Sequence, residues 1–223
     1  MILKNARKLV LMMALFLICA GSSGAEDDPK TWSGMLVVDS ANPLHLEAGR
    51  ETIPLPYPLV LFVDPQSEAY KSGFRGGDYL VGPPDREILT LATLDEVLKQ
   101  APEGIRVRNQ DEKKVLHFTP SPRTPEAEAF AEMLSQIRLA ETRPVPLPEL
   151  EAIANRHPSY PVLAFLLAQY AKKQNTPDKA DEWLEKVVKM APDHFLGALA
   201  VRSASNKKRP ELIGLLASLA PVE

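Results

Sequence analysis

The sequence predicts an α+β chain: a β-rich region over residues 30–119 with two helical pieces, then an all-α helical-hairpin region over residues 124–223. Three observations carry this expectation. Pro58-Leu-Val-Leu-Phe-Val63 holds a continuous apolar run of the length and composition of a buried strand. From Thr124 onward apolar residues recur every three or four positions, the spacing of a helix with one packed face. Between the two regions Pro120, Pro122 and Pro125 interrupt both patterns.

The first 25 residues are set apart from either region. Lys4, Arg7 and Lys8 precede an apolar run from Leu9 to Ala20, followed by small Ser23-Gly24-Ala25 and acidic Glu26-Asp27-Asp28. This is the order of a secretory signal peptide over residues 1–25. The run is too short for a spanning helix, which takes roughly 18 or more apolar residues. An uncleaved anchor and a lipoprotein attached through Cys19 are the alternatives, but Ile18 stands where lipid attachment normally needs Gly, Ala or Ser. Cleavage after Ala25 removes Cys19, the only cysteine, leaving a thiol-free chain suited to an oxidising compartment.

Within residues 30–119, Tyr79-Leu-Val81, Ile105-Arg-Val-Arg108 and Val115-Leu-His-Phe118 are further strands. Ile105 and Val107 alternate with Arg106 and Arg108, so one face is buried and the other wet. Asn109-Gln-Asp-Glu-Lys113 reads as the hairpin turn between the last two strands. Leu94, Val97 and Leu98 fall on one helical face, with Thr93 as N-cap and Glu96 completing a capping box. The prolines of residues 120–125 cannot continue a strand ladder and form a semi-rigid linker at the domain boundary.

The second region opens on Thr124-Pro125-Glu126: a capping hydroxyl, Pro at the first helical position and an acid at the positive end of the dipole. Phe130, Leu134 and Ile137 form the stripe of a helix reaching about Glu141. Leu147 to Arg156 and Leu163 to Lys172 are the next two helices. Thr176-Pro177-Asp178 repeats the start signal for a fourth, with Ala180, Leu184, Val187 and Val188 on its face. Phe195 to Ser205 and Pro210 to Leu219 complete a set of short helices with short loops, the pattern of stacked helical hairpins.

Composition narrows the function. The 223 residues are 25% charged and 45% hydrophobic, which excludes a collagen, a long coiled coil or a wholly disordered chain. With 26 Lys and Arg against 29 Asp and Glu, the net charge of −3 argues against nucleic-acid binding as the main task. One cysteine excludes a disulfide scaffold and a Cys-based zinc site. No His-Glu-x-x-His, phosphate loop or Gly-x-Gly-x-x-Gly occurs, nor a Gly-x-Ser-x-Gly after the signal segment. His45, His117, His157 and His194 lack metal-ligand spacing; His117 reads as a structural strand residue, and His157 and His194 as helix-end residues that favour the dipole. Asp181-Glu182 and Glu185-Lys186 read as the wet face of a helix. No catalytic, cofactor or metal residue is expected.

The string Ser67-Glu-Ala-Tyr-Lys-Ser-Gly-Phe-Arg-Gly-Gly-Asp-Tyr-Leu-Val81 follows the Leu59–Val63 strand and precedes the Leu94–Leu98 helix and the hairpin from Ile105 to Phe118. This order resembles a bacterial PDZ domain of the periplasmic serine-protease type, with Ser67, Ala69, Gly73, Gly77 and Asp78 at matching places. Gly73 and Gly77 can take positive φ, and Asp78 can satisfy loop N–H groups. The resemblance implies a partly open β-barrel with two helices that captures an extended peptide or C-terminus as an added strand. It also implies a terminal carboxylate held by a loop of backbone N–H groups. Trp32-Ser-Gly-Met-Leu-Val37 matches that loop, with Gly34 as its glycine and Met35 to Val38 as the edge strand; Ser33 stands where the family usually has an apolar residue. The implied peptide-binding residues are Ser33, Gly34, Met35, Leu36 and Val37 on one wall and Thr93, Leu94 and Val97 on the other. Core packing is the competing reading for Leu94 and Val97.

In the second region His157-Pro158 and Ala191-Pro192 end two helices, and their prolines stand about 34 residues apart, the period of a tetratricopeptide repeat. Leu167, Ala168, Ala180, Leu184 and Val187 fall at that repeat's apolar places, whereas Tyr170 is one residue out of step. The region thus resembles degenerate tetratricopeptide repeats, which implies a scaffold or a protein-binding concave face.

The expected protein is an exported, non-enzymatic adaptor in a bacterial periplasm or the cell exterior. Its expected partners are protein or peptide C-termini. A regulatory or substrate-presenting subunit of an envelope protease, and a structural component of an envelope or secretion assembly, are the alternative readings. No nucleic acid and no membrane span in the mature chain are expected.

Overall fold

The structure, a computed structural model, describes residues 31–39, 55–88, 90, 94, 97, 104–109, 112–117, 121–122, 124–140 and 145–219. The signal segment, Thr93 with its capping partner Glu96, and most of the connection from 39 to 57 lie outside the described residues. The chain divides into two compact units, Met1–Ser121 and Pro122–Glu223. The division falls inside the proline-rich stretch.

The first unit holds strands β1 (Thr31–Trp32), β2 (Met35–Val38), β3 (Leu59–Val63), β4 (Tyr79–Gly82), β5 (Ile105–Asn109) and β6 (Glu112–Leu116), the short helix α1 (Glu68–Lys71), and helical residues at Leu94 and Val97. An antiparallel five-stranded sheet runs β2-β3-β4-β5-β6 and is not closed, so β2 and β6 are its edges. Ser121–Pro122 forms a further strand, β7, paired with β1 in a two-stranded ladder. This corrects the expectation that the proline stretch carries no ladder. A two-residue strand gives Pro122 only an end position, where a missing N–H is tolerated.

Alternation and two bulges build the core. The apolar run of β3 is buried throughout. Its register with β2 pairs Met35 with Val63 and Leu36 with Phe62, then shifts so that Val37 meets Val60. The extra residue at the shift turns both Val63 and Val60 to the same side, where they join Met35, Val37, Leu80, Ile105 and Val107 in one cluster. A second irregularity follows Leu80 in β4, and there Gly82 takes φ +123°. A Cβ on Gly82 would meet the Arg86 carbonyl at 2.5 Å, because the chain returns over β4 here to donate the Ile88 N–H to the Val81 carbonyl at 2.8 Å. In β5, Ile105 and Val107 are buried and Arg106 and Arg108 only partly so, as the alternation predicts. The hairpin is tighter than expected: Asn109 pairs with Glu112 and Arg108 with Lys113, so these polar residues are ladder rather than turn. His117 falls just past the end of β6 and is exposed, not in a strand.

The second unit contains α2 (Pro125–Leu139), α3 (Leu147–Arg156), α4 (Pro161–Lys173), α5 (Pro177–Met190), α6 (Phe195–Ser203) and α7 (Arg209–Leu219). Each packs on its neighbour in the chain. Thr124 caps α2 as expected, its Oγ1 accepting from the Ala127 N–H at 3.2 Å. Thr176 does not cap α5. Its hydroxyl donates backwards to the Ala171 carbonyl at 2.9 Å. The reason lies at the end of α4, where Asn175 takes φ +56° and the N–H groups of Asn175 and Thr176 bond the Lys172 and Ala171 carbonyls, a Schellman arrangement. Leu167, Ala168, Ala180, Leu184 and Val187 are all core residues.

Two side chains depart from their expected roles. His194 precedes α6 and its Nδ1 accepts from the Leu196 N–H at 3.2 Å, so it serves a positive helix end as an acceptor, not as a cation. Asp181 is not on the wet face of α5. It is 9% exposed, and its carboxylate accepts from the Ser205 N–H at 3.0 Å and the Ser205 hydroxyl at 2.5 Å. Glu182 and Glu185 do form charge pairs along the helix, with Lys179 and Lys189 respectively. Asp181→Ala leaves two partly buried donors of Ser205 without that acceptor and is expected to cost about 1–3 kcal/mol. Asp181→Asn keeps one acceptor and a donor for the hydroxyl oxygen, so thermal unfolding should show it recovering most of that loss.

Candidate functional site

Met35, Leu36 and Val37 form β2 with Val38, and all four side chains are buried. Their main chain pairs with β3 on one side. In the described sheet no strand lies on the other side of β2. Such an edge is where an extended peptide can add by backbone hydrogen bonds.

Gly34 enters β2 with φ +79°, a conformation that disfavours a side chain. Its carbonyl accepts from the Asp64 N–H at 2.7 Å. A Cβ there would overlap the Cβ and Oγ of Ser67. The entry to β2 is therefore seated on the turn that starts α1. That turn is built by Asp64 and Ser67. The Ser67 hydroxyl donates to the Asp64 carbonyl at 2.7 Å and accepts from the Tyr70 N–H at 3.2 Å as N-cap, while the Asp64 carboxylate accepts from the Gln66 N–H at 2.8 Å. Asp64 escaped the sequence reading, although Asp64-Pro65 is a recognisable turn start.

The Ser67-to-Asp78 string folds as its residue types direct. Ala69 is fully buried under α1. Gly73 ends the helix at φ +104°, and the Gly73 and Phe74 N–H groups bond the Tyr70 and Ala69 carbonyls, with Phe74 buried beyond them. Gly77, at φ +94°, donates to the Val60 carbonyl at 2.8 Å. Asp78 satisfies the loop as expected: its carboxylate accepts from the Arg75 N–H at 2.8 Å and the Asn109 amide at 2.8 Å. Burial nevertheless holds the Asp78 carboxyl above the usual carboxylate range, against those hydrogen bonds and the Lys114 and Arg75 charges that pull it down. A carboxyl that holds its proton more tightly folded than unfolded makes stability fall as pH rises between its unfolded and folded values. Asp78→Asn can keep both hydrogen bonds if Asn109 turns over. Urea unfolding across the acidic range should show this fall in the native protein and lose it in the variant.

Of the other expected wall, Leu94 and Val97 are helical and fully buried in the same cluster as Met35 and Val37. Leu36 lies on the opposite face of β2, paired with Phe62. Ser33 is half-buried beside Gly34. The structure thus brings Met35, Val37, Leu94 and Val97 into one core cluster, with Gly34 at the entry to β2. Among the described residues no group of three or more His, Cys, Asp or Glu side chains could hold a metal ion. No helix among them is long and apolar enough to cross a membrane. No protein-family model matches the chain, and no curated protein matches it.

Proposed function

We propose that the protein is an exported, non-enzymatic interaction adaptor. Its PDZ-like first unit captures an extended peptide or C-terminus along β2, and its tetratricopeptide-like second unit is a scaffold. The observation that carries this reading is the position of β2: an edge strand entered through a positive-φ glycine with no room for a side chain. Backbone N–H groups at such a loop suit a terminal carboxylate. The N-capped α1, its glycine terminus and the Asp78 loop support the PDZ-like reading; the tight seat of Gly197 on the Ala191 carbonyl at the α5–α6 turn supports closely stacked hairpins. The place is the periplasm or the cell exterior, on the strength of the signal-peptide pattern of residues 1–25. The partners are protein or peptide C-termini.

Peptides with a free C-terminal carboxylate should bind the purified protein and lose that binding when the carboxylate is amidated, measured by fluorescence polarisation. Equal binding of both forms, or none, would remove the carboxylate-capture role from β2.

A further inference from the structure

From Leu212 to Leu219, α7 carries no charged residue on any side, yet only Leu212 is buried. The helix packs on α5 and α6. On the side away from Leu212, Pro210, Ile213, Gly214 and Ala217 are all exposed, Ile213 at 54%. Their spacing of i, i+3, i+4 and i+7 sets them in one stripe along the helix. A helix at the rim of a hairpin stack keeps a polar outer face when water is its only neighbour. The outer face of α7 has the composition of an interior one.

Shape and charge both fit this face to itself. A Cβ on Gly214 would meet nothing within 4 Å, so the glycine leaves a notch beside the Ile213 side chain. A two-fold axis passing between these residues runs a second α7 antiparallel to the first. Ile213 then faces the Gly214 notch of the other copy and Pro210 faces its Ala217, each pair made twice. Small residues at the crossing let two helices approach to about 8 Å. Lys207, just before α7, is exposed and in no ion pair among the described residues. The last turn of α7 has no basic residue to offset its negative end. Antiparallel pairing brings each Lys207 to the uncompensated helix end of the other copy. A helix lying on a membrane surface instead carries its lysines and arginines along a polar face. Here Lys207, Lys208 and Arg209 stand together at one end, and Lys208 is occupied by Glu185 and Glu211.

We propose that the outer face of α7 is a docking surface for a second copy of this chain, the two α7 helices pairing antiparallel about Ile213 and Gly214. One helix face is smaller than the roughly 800 Å² per partner of a standard interface, so the dimer is weak and reversible, with a Kd in the micromolar range. The inference does not rest on peptide capture at β2.

The test is sedimentation of the whole purified protein from micromolar to about millimolar concentration, where the native chain should pass from monomer to dimer. Ile213→Glu should stay monomeric throughout and melt as the native monomer does. Gly214→Gln should also stay monomeric, because the notch is filled. Its monomer should melt higher than the native one, since glycine is a poor helix former and the new side chain enters open space. Lys207→Gln should raise Kd about tenfold, the two-fold axis counting its contact twice. Val115→Gln, at an exposed apolar residue of the first unit, should leave the dimer unchanged. A native chain that stays monomeric at millimolar concentration, or a dimer that survives both Ile213→Glu and Gly214→Gln, would overturn the proposal. So would binding to phosphatidylethanolamine–phosphatidylglycerol vesicles that Ile213→Glu abolishes, which would assign this face to a membrane surface.

Discussion

Replacing Gly34 by Ala is expected to destabilise the first unit by about 2–4 kcal/mol, from the left-handed backbone and the overlap with Ser67 together. The two parts can be separated. Ser67→Gly removes the atoms that a Cβ at position 34 would strike, and glycine at an N-cap costs only a few tenths of a kcal/mol relative to serine. The double variant should therefore recover the packing share and retain only the backbone share, about 1–2 kcal/mol. Urea unfolding of the four members of this cycle reads the coupling directly. Strict additivity would mean that Gly34 and Ser67 do not touch, and that the entry to β2 is not seated on the α1 turn.

Truncating Leu94 to Ala is expected to cost about 2–5 kcal/mol, the range for a leucine sealed in a core. Its side chain is fully buried with Met35 and Val37. A residue lining an open groove would keep contact with water in the free protein and lose much less. A measured loss below about 1 kcal/mol would thus show a groove open at this point, since exposed sites rarely exceed that. A loss in the expected range would mark Leu94 as core and leave the proposed peptide capture to the β2 main chain and the Gly34 loop. Leu94 then acts by holding β2 in position.

Much of the architecture could be read before any coordinates. Local signals were sufficient wherever one element's residues determine its state: the apolar run of β3, the alternation in β5, and the proline starts of α2 and α5. Sequence pattern was weaker wherever the deciding partner is far away in the chain. Asp181 sits among charged helix residues and looked solvated, yet Ser205 closes over it from 24 positions away. Asn109, Glu112 and Lys113 looked like turn residues because they are polar, but the ladder runs through them: Lys113 stands opposite Arg108 on the wet face, and Asn109 is held by the carboxylate of Asp78, 31 positions earlier. The bulge in β3 left no local mark in the apolar run, because every residue there is hydrophobic in either phase, whereas the one in β4 is marked by Gly82. For the candidate site, Gly34 and the edge position of β2 were legible. The depth at which Leu94 and Val97 lie was not, since helical spacing identifies a packed face without saying how closely it is covered.

The neighbour-on-neighbour packing of α2 to α7 has a kinetic side. Contacts between elements adjacent in sequence close short loops, and chains dominated by them fold fast. The sheet of the first unit is built the other way: β2 must find β3, and β4 must find β5, across long intervening segments. The two units thus carry different clocks. The slower one is translated first, so its search begins while the faster one is still being synthesised.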